Sequence, residues 1–118
     1  MLNVVAVAGR LSQAPVLQKT AGEVPYVRFS IACDRDYRKP DQQREADFIT
    51  CMAWRQAAQF LCEHFQKGSA VVVTGRLEVN QWKTPEGEQR RETLVSVDNV
   101  YFGEKRQREI QAMQAEQN

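Results

Sequence analysis

Apolar and polar residues alternate with a period of two over residues 24–34. Val27, Phe29, Ile31 and Cys33 fall on one face, and Tyr26, Arg28, Ser30, Ala32 and Asp34 on the other. The same period runs through residues 46–53, where Ile49, Cys51 and Ala53 alternate with Phe48, Thr50, Met52 and, just beyond, Trp54. Residues 69–82 give the longest such signal, with Val71, Val73, Leu77 and Val79 opposed to Val72, Thr74, Arg76, Glu78, Asn80 and Trp82. A Val/Ala-rich run over 3–10, which contains Gly9, and a returning run over 91–102 read as further strands.

Between 55 and 67 the period changes to helical. Ala57, Phe60, Leu61, His64 and Phe65 share a stripe, and Gly68 is the expected stop. Pro15 and Gly22 mark 12–22 as an irregular turn, the polar stretch 35–45 with Pro40 reads as a long exposed loop, and Pro85 and Gly87 place a tight turn in 83–89. The order is three strands, a helix and two strands. Without parallel βαβ repetition, this predicts an all-β fold: a closed five-stranded antiparallel barrel with one helix between strands 3 and 4.

Composition adds little beyond bounding the answer. The chain has 118 residues, 42% hydrophobic and 26% charged, which is ordinary for one globular domain. No apolar run approaches the roughly 20 residues of a membrane span, and MLNVVAVAGR lacks a basic start before its apolar stretch, so a cytosolic location is expected. Cys33, Cys51 and Cys62 are odd in number, widely spaced and free of any C-x-x-C pair. That argues against structural zinc or a disulfide framework, and for three small apolar residues. Net charge is +1, with 13 Lys or Arg against 12 Asp or Glu in residues 1–103 and 3 against 3 beyond. A basic footprint has to come from arrangement rather than excess.

The second face of residues 46–54 raises the functional question. With Ile49, Cys51 and Ala53 inward, Phe48 and Trp54 stand outside, six residues and about 20 Å apart at roughly 3.3 Å per residue. Trp82 repeats the situation on its own strand, and Tyr37 lies in the long loop. Arg28, Arg55 and Arg76 sit on or beside outward positions, and Arg35, Arg38, Lys83, Arg90 and Arg91 in the loops. Flat rings along a strip interleaved with guanidinium groups suit a flexible polyanion that carries its own flat rings. Single-stranded nucleic acid is that ligand: each base stacks on an aromatic ring for about 1–3 kcal/mol, and cations neutralise the phosphates. The plainer alternative packs these rings against another copy of the chain, or shifts the strand parity by one. A shift would trade Phe48 and Trp54 for Ile49 and Ala53 outside, and Trp82 would stay unexplained.

Several motifs carry a family likeness: MLN-V-x-x-x-GRL at the start, EADFITCMAWRQAA, KGS after the helix, GRL before Trp82, and a final strand ending VYF. In order and spacing the chain resembles the bacterial single-stranded DNA-binding proteins from Met1 to about Phe102. The resemblance implies an OB-fold, usually assembled as a homotetramer, on which single-stranded DNA wraps over stacking aromatics without sequence specificity during replication, recombination and repair. It places the domain at 1–103, in a bacterial cytoplasm beside the nucleoid; residues 104–118, rich in Gln and charge with little to bury beyond Ile110 and Met113, read as a flexible tail. Tyr37, Phe48, Trp54 and Trp82 match the stacking positions. Arg55, Lys67 and Arg90 match phosphate contacts, and Arg10, Arg28, Arg35, Arg38, Arg76, Lys83 and Arg91 join them by face or neighbourhood.

The chain departs from that pattern in three places. Glu78, Val79, Asn80 and Gln81 stand where relatives carry basic residues before the fourth-strand Trp, which lowers the expected electrostatic contribution there. Ala14-Pro15 replaces the usual Asp-Pro. The Gln-rich end lacks the acidic tip with a terminal Phe that recruits replication and repair enzymes in the family, so the resemblance does not by itself extend to that recruitment.

Other function classes fare worse. The one histidine, His64, lies on the helix stripe as a packing ring, and six scattered glycines form neither a phosphate loop nor a dinucleotide fingerprint. Asp34 and Asp36 read as a solvated loop entrance rather than a metal pair. No enzyme, cofactor or metal is expected. The rival reading is an OB-fold scaffold whose strip binds protein or RNA in a replication or translation assembly.

Overall fold

In the computed structural model, which describes residues 1–35 and 45–103, the chain runs β1 (Val5–Leu11), β2 (Gln18–Lys19), β3 (Pro25–Asp34), β4 (Ala46–Trp54), α1 (Arg55–His64), β5 (Ala70–Lys83) and β6 (Gln89–Phe102). Tyr37, Arg38 and the tail from 104 to 118 lie outside the described residues. The five long strands and the helix appear where the periodicity puts them. The two-residue β2 arises within the stretch read as an irregular turn, pairing Gln18 with Tyr26 and Lys19 with Pro25, so the helix falls between β4 and β5.

Sheet order is β1-β5-β6-β4-β3-β2, and a β1–β3 pairing at Arg10↔Ala32 and Leu11↔Ile31 closes a ring of five strands. That ring with one helix is the OB-fold architecture. The hairpin partners run antiparallel, while the seam between β4 and β6 is a short parallel one at Cys51↔Val95 and Met52↔Ser96. Inside the ring, Val7, Leu11, Val27, Phe29, Ile31, Cys51, Ala53, Val71, Val73 and Val95 are buried, so the inward parity read for β3, β4 and the first half of β5 holds. Burying apolar area at roughly 25 cal/mol per Å² is the main stabilising term for a barrel of this size.

The helix is shorter than its apolar stripe. Phe65, expected as helical, is extended at φ −124°, ψ 151° and only 6% exposed, and it stacks on Phe102 with ring centroids 5.2 Å apart. Burying that ring outweighs one more helical turn, so the helix stops at His64. Phe60 and His64 complete the aromatic cluster against Phe102. Gly68, at φ +85°, serves the following turn, where its N–H donates to the Leu11 carbonyl at 2.9 Å.

Strands β5 and β6 outrun the barrel. Asp98 is an extra residue between the pairs Thr74↔Asn99 and Gly75↔Val97, a bulge of the kind that bends a strand and re-aims its end. A Cβ at Gly75 would sit 2.0 Å from the Ser96 carbonyl oxygen, so the close crossing there needs glycine. Beyond it the hairpin projects as an arm, turning at Thr84–Glu88 around Gly87 at φ +87°. Leu77 and Val79 continue the inward face in sequence yet are 45% and 52% exposed, because no barrel remains beneath them.

Candidate nucleic-acid interface

Pairing register decides which outward residues become neighbours. β3 and β4 align Tyr26↔Trp54, Arg28↔Met52, Ser30↔Thr50 and Ala32↔Phe48, so the outer surface is a ladder of four such rows. Arg10, opposite Ala32 on β1, extends the Phe48 row across a third strand. On the arm, Trp82 faces Arg90, and Asn80 faces Glu92. Glu92 reaches across to an ion pair with Arg28, which ties the arm to the β3–β4 ladder on one continuous face. Phe48, Trp54 and Trp82 therefore share a surface, at 67%, 40% and 48% exposure. Alternation along β5 and β6 puts Lys83 and Arg91 on the reverse face of the arm, with Leu77 and Val79.

Trp54 is the most supported of these rings. Tyr26 lies beside it, centroids 5.3 Å apart and planes tilted by 33°, and the Tyr26 hydroxyl donates to Gln18 Oε1 at 2.8 Å. Tyr26 is the functional candidate that sequence reading passed over. It stood on the outward face of its strand, but only the register, set across the long β3–β4 loop, puts it opposite the indole. Immediately after Trp54, Arg55 opens α1 at φ +56°, a left-handed conformation rare for a non-glycine residue. Trp54 itself occupies the N-cap position with extended backbone and no capping side chain.

Much of the positive charge is already met by carboxylates. Arg28 pairs with Glu92, Arg76 with Glu78 at 3.6 Å, and Arg90 with Glu88 at 2.8 Å. Arg35 is held twice, by Asp47 at 3.0 Å and Glu45 at 3.1 Å. The hydrogen bond from Arg35 and its charge keep the Asp47 carboxyl below the usual carboxylate range, and Asp47 in turn raises the guanidinium pKa. Arg10 donates to the Gly68 carbonyl at 2.9 Å, which brings it to the turn that carries Lys67. Arg55, Lys67, Lys83 and Arg91 make no ion pair among the described residues. Nor do the described residues include a group of three or more His, Cys, Asp or Glu able to hold a metal ion. Exposed rings alternating with cations can stack flat groups and neutralise anionic ones, and the carboxylates moderate the second ability.

The model of the Single-strand binding protein family matches residues 2–103. Among similar proteins, "Single-stranded DNA-binding protein 1" of Streptococcus pyogenes is 33% identical over 106 residues, covering 90% of this chain and 82% of that protein. The single-stranded DNA-binding protein of Oceanobacillus iheyensis is 38% identical over 102 residues, 86% of this chain and 63% of that one. That of Fusobacterium nucleatum is 37% identical over 105 residues, 87% and 68%. These relatives are longer than the chain. With the ring-bearing surface and the family match in agreement, this chain belongs to the single-strand binding protein family.

Proposed function

We propose that the chain binds and protects single-stranded DNA without sequence specificity, in replication, recombination and repair, as a binding protein and not an enzyme. One observation carries the reading: Phe48, Trp54 and Trp82 are all substantially exposed on one continuous outer face of the barrel and its arm. Large rings left in water on a single face fit a ligand with unpaired bases, and each stacked base contributes roughly 1–3 kcal/mol whatever its identity. Phosphates are met by Arg55 and Lys67 first, with Arg10 contributing beside the Gly68 turn and Arg28, Arg35, Arg76 and Arg90 engaged only as their carboxylate partners release them. Lys83 and Arg91 serve strand that passes over the flank of the arm. Tyr37 and Arg38 are assigned to the same ligand from the sequence alone.

The assembled form is a homotetramer. Apart from Arg10 and Leu11, β1 has a ladder partner only on its β5 side, and Leu2, Val4, Leu77, Val79 and Tyr101 are exposed apolar residues around that sheet. An open edge beside an apolar surface favours pairing between copies. Localisation with the bacterial nucleoid, in the cytoplasm, follows from the ligand.

Tryptophan fluorescence tests the reading. Oligo(dT) should quench Trp54 and Trp82, salt should reverse the quench, and duplex DNA should compete poorly. Unchanged emission at micromolar protein would return the surface to a scaffold that binds protein, and equal response to RNA oligomers would move the ligand to RNA. Light scattering reports the tetramer directly.

A further inference from the structure

The ladder has rings at its two ends and none between them. Thr50 and Met52 occupy the rows between Phe48 and Trp54. Beside Thr50 the surface drops into a cleft of about 370 Å³, formed between β3, β4 and the chain from 12 to 18. Its polar lining is Ser12, Gln13, Gln18, Arg28, Ser30 and Thr50. Only Arg28 among these carries charge, and Glu92 answers it. The cleft is therefore polar but nearly neutral, a poor seat for a phosphate and a suitable one for a flat uncharged group that hydrogen-bonds along its edge.

Two of its walls are fixed in place. Ser12 Oγ donates to the Ser30 carbonyl at 3.2 Å, which ties the 12–18 segment to β3. Gln18 accepts from the same Tyr26 hydroxyl whose ring braces Trp54, so cleft and stacking platform are joined through one side chain. The volume lies at the small end of ligand pockets, about 300–1,000 Å³. We infer that the cleft is a pocket for one nucleobase of the bound strand, turned out of the path between the bases on Phe48 and Trp54. Neutral amides and hydroxyls hold it by its edge. This rests on the single-stranded DNA reading and adds to it a modest base preference, since stacking tolerates any base while edge hydrogen bonds do not.

Thymine and cytosine are both pyrimidines, yet thymine offers the O4 acceptor where cytosine offers the N4 donor. Titrating the full chain with oligo(dT) and oligo(dC) of equal length should give affinities that differ by roughly fivefold or more. Thr50→Val and Gln13→Ala should each narrow that ratio, Thr50→Ser should keep it, and Trp54→Phe should weaken both oligomers alike. Should Thr50→Val fail to fold, Gln13→Ala on the rim decides the matter. Equal wild-type affinities, or a ratio that survives Gln13→Ala and any folded Thr50→Val, overturn the pocket and leave the binding surface standing. Wild-type protein that binds neither oligomer overturns the function on which the pocket rests.

Discussion

Tyr26 stands directly opposite Trp54 across β3 and β4, its ring 5.3 Å from the indole and tilted by 33°. One face of the indole is thereby occupied, so an incoming base has the other face to itself, on a ring that no longer swings freely. Aromatic pairs of this kind contribute about 0.5–1.5 kcal/mol beyond simple burial. Trp54→Ala should weaken oligo(dT) binding by about 1–3 kcal/mol. Tyr26→Ala should cost a smaller amount, roughly 0.5–1 kcal/mol, and Tyr26→Phe should bind nearly as wild type. Folded Tyr26→Ala protein with unaltered affinity would show that the indole needs no brace.

Salt dependence should be shallower than the number of arginines implies. Each phosphate contact on a single strand contributes about 0.7 to the slope of log K against log salt, and only when a cation is free to neutralise the phosphate and displace its condensed counterions. Arg28, Arg35, Arg76 and Arg90 are engaged with Glu92, Asp47 and Glu45, Glu78 and Glu88. Glu88→Gln releases Arg90 beside Trp82. The variant should bind more tightly at low salt, with a slope steeper by about 0.7. A slope equal to that of wild type would mean that Glu88 already yields Arg90 to the DNA.

Period-two alternation was enough to put Phe48, Thr50 and Trp54 outside and Ile49, Cys51 and Ala53 inside, because a strand with one buried face has no other option. The neighbours of each ring were not legible. Tyr26 meets Trp54, and Glu92 meets Arg28 across 64 residues, only through the pairing register of the folded barrel. The exposure of Leu77 and Val79 escaped for a related reason: the pattern marks a face, and cannot tell where the barrel beneath that face ends. Phe65 shows the limit of the helical period, since tertiary packing on Phe102 decided its conformation.

Arg55 holds a left-handed backbone at φ +56° next to the principal ring. For a side chain with a Cβ this conformation costs about 1–2 kcal/mol, and strain of that kind persists where the surroundings impose it. Arg55→Gly removes the strain and the charge together. Glycine's greater freedom in the unfolded chain returns about 0.5–1 kcal/mol of the gain, so the variant should be slightly more stable than wild type by urea denaturation. Its affinity for oligo(dT) should fall and its salt slope flatten. A variant that lost stability would show that the guanidinium supports the fold, against the strain argument.

Cys51 is fully buried in the barrel at the parallel seam. Burial first, and the neighbouring Cys33 second, push its thiol up to about 12 from an ordinary value of 9.0. The folded protein thus keeps the proton over a range in which the unfolded chain gives it up. Below about pH 9 both states are protonated and the contribution to stability is complete; as pH climbs toward 12 the unfolded thiol ionises alone and draws the equilibrium toward unfolding. Urea midpoints measured from pH 8 to 11 should decline for wild type and decline less for Cys51→Ala. Lysines and tyrosines that titrate in the same range are common to both proteins, so the difference between the two curves isolates the thiol. Alkylation at pH 8 should leave Cys51 unmodified in the folded protein. Parallel curves, or rapid native-state alkylation of Cys51, would show that water reaches this seam and that the barrel opens where β4 meets β6.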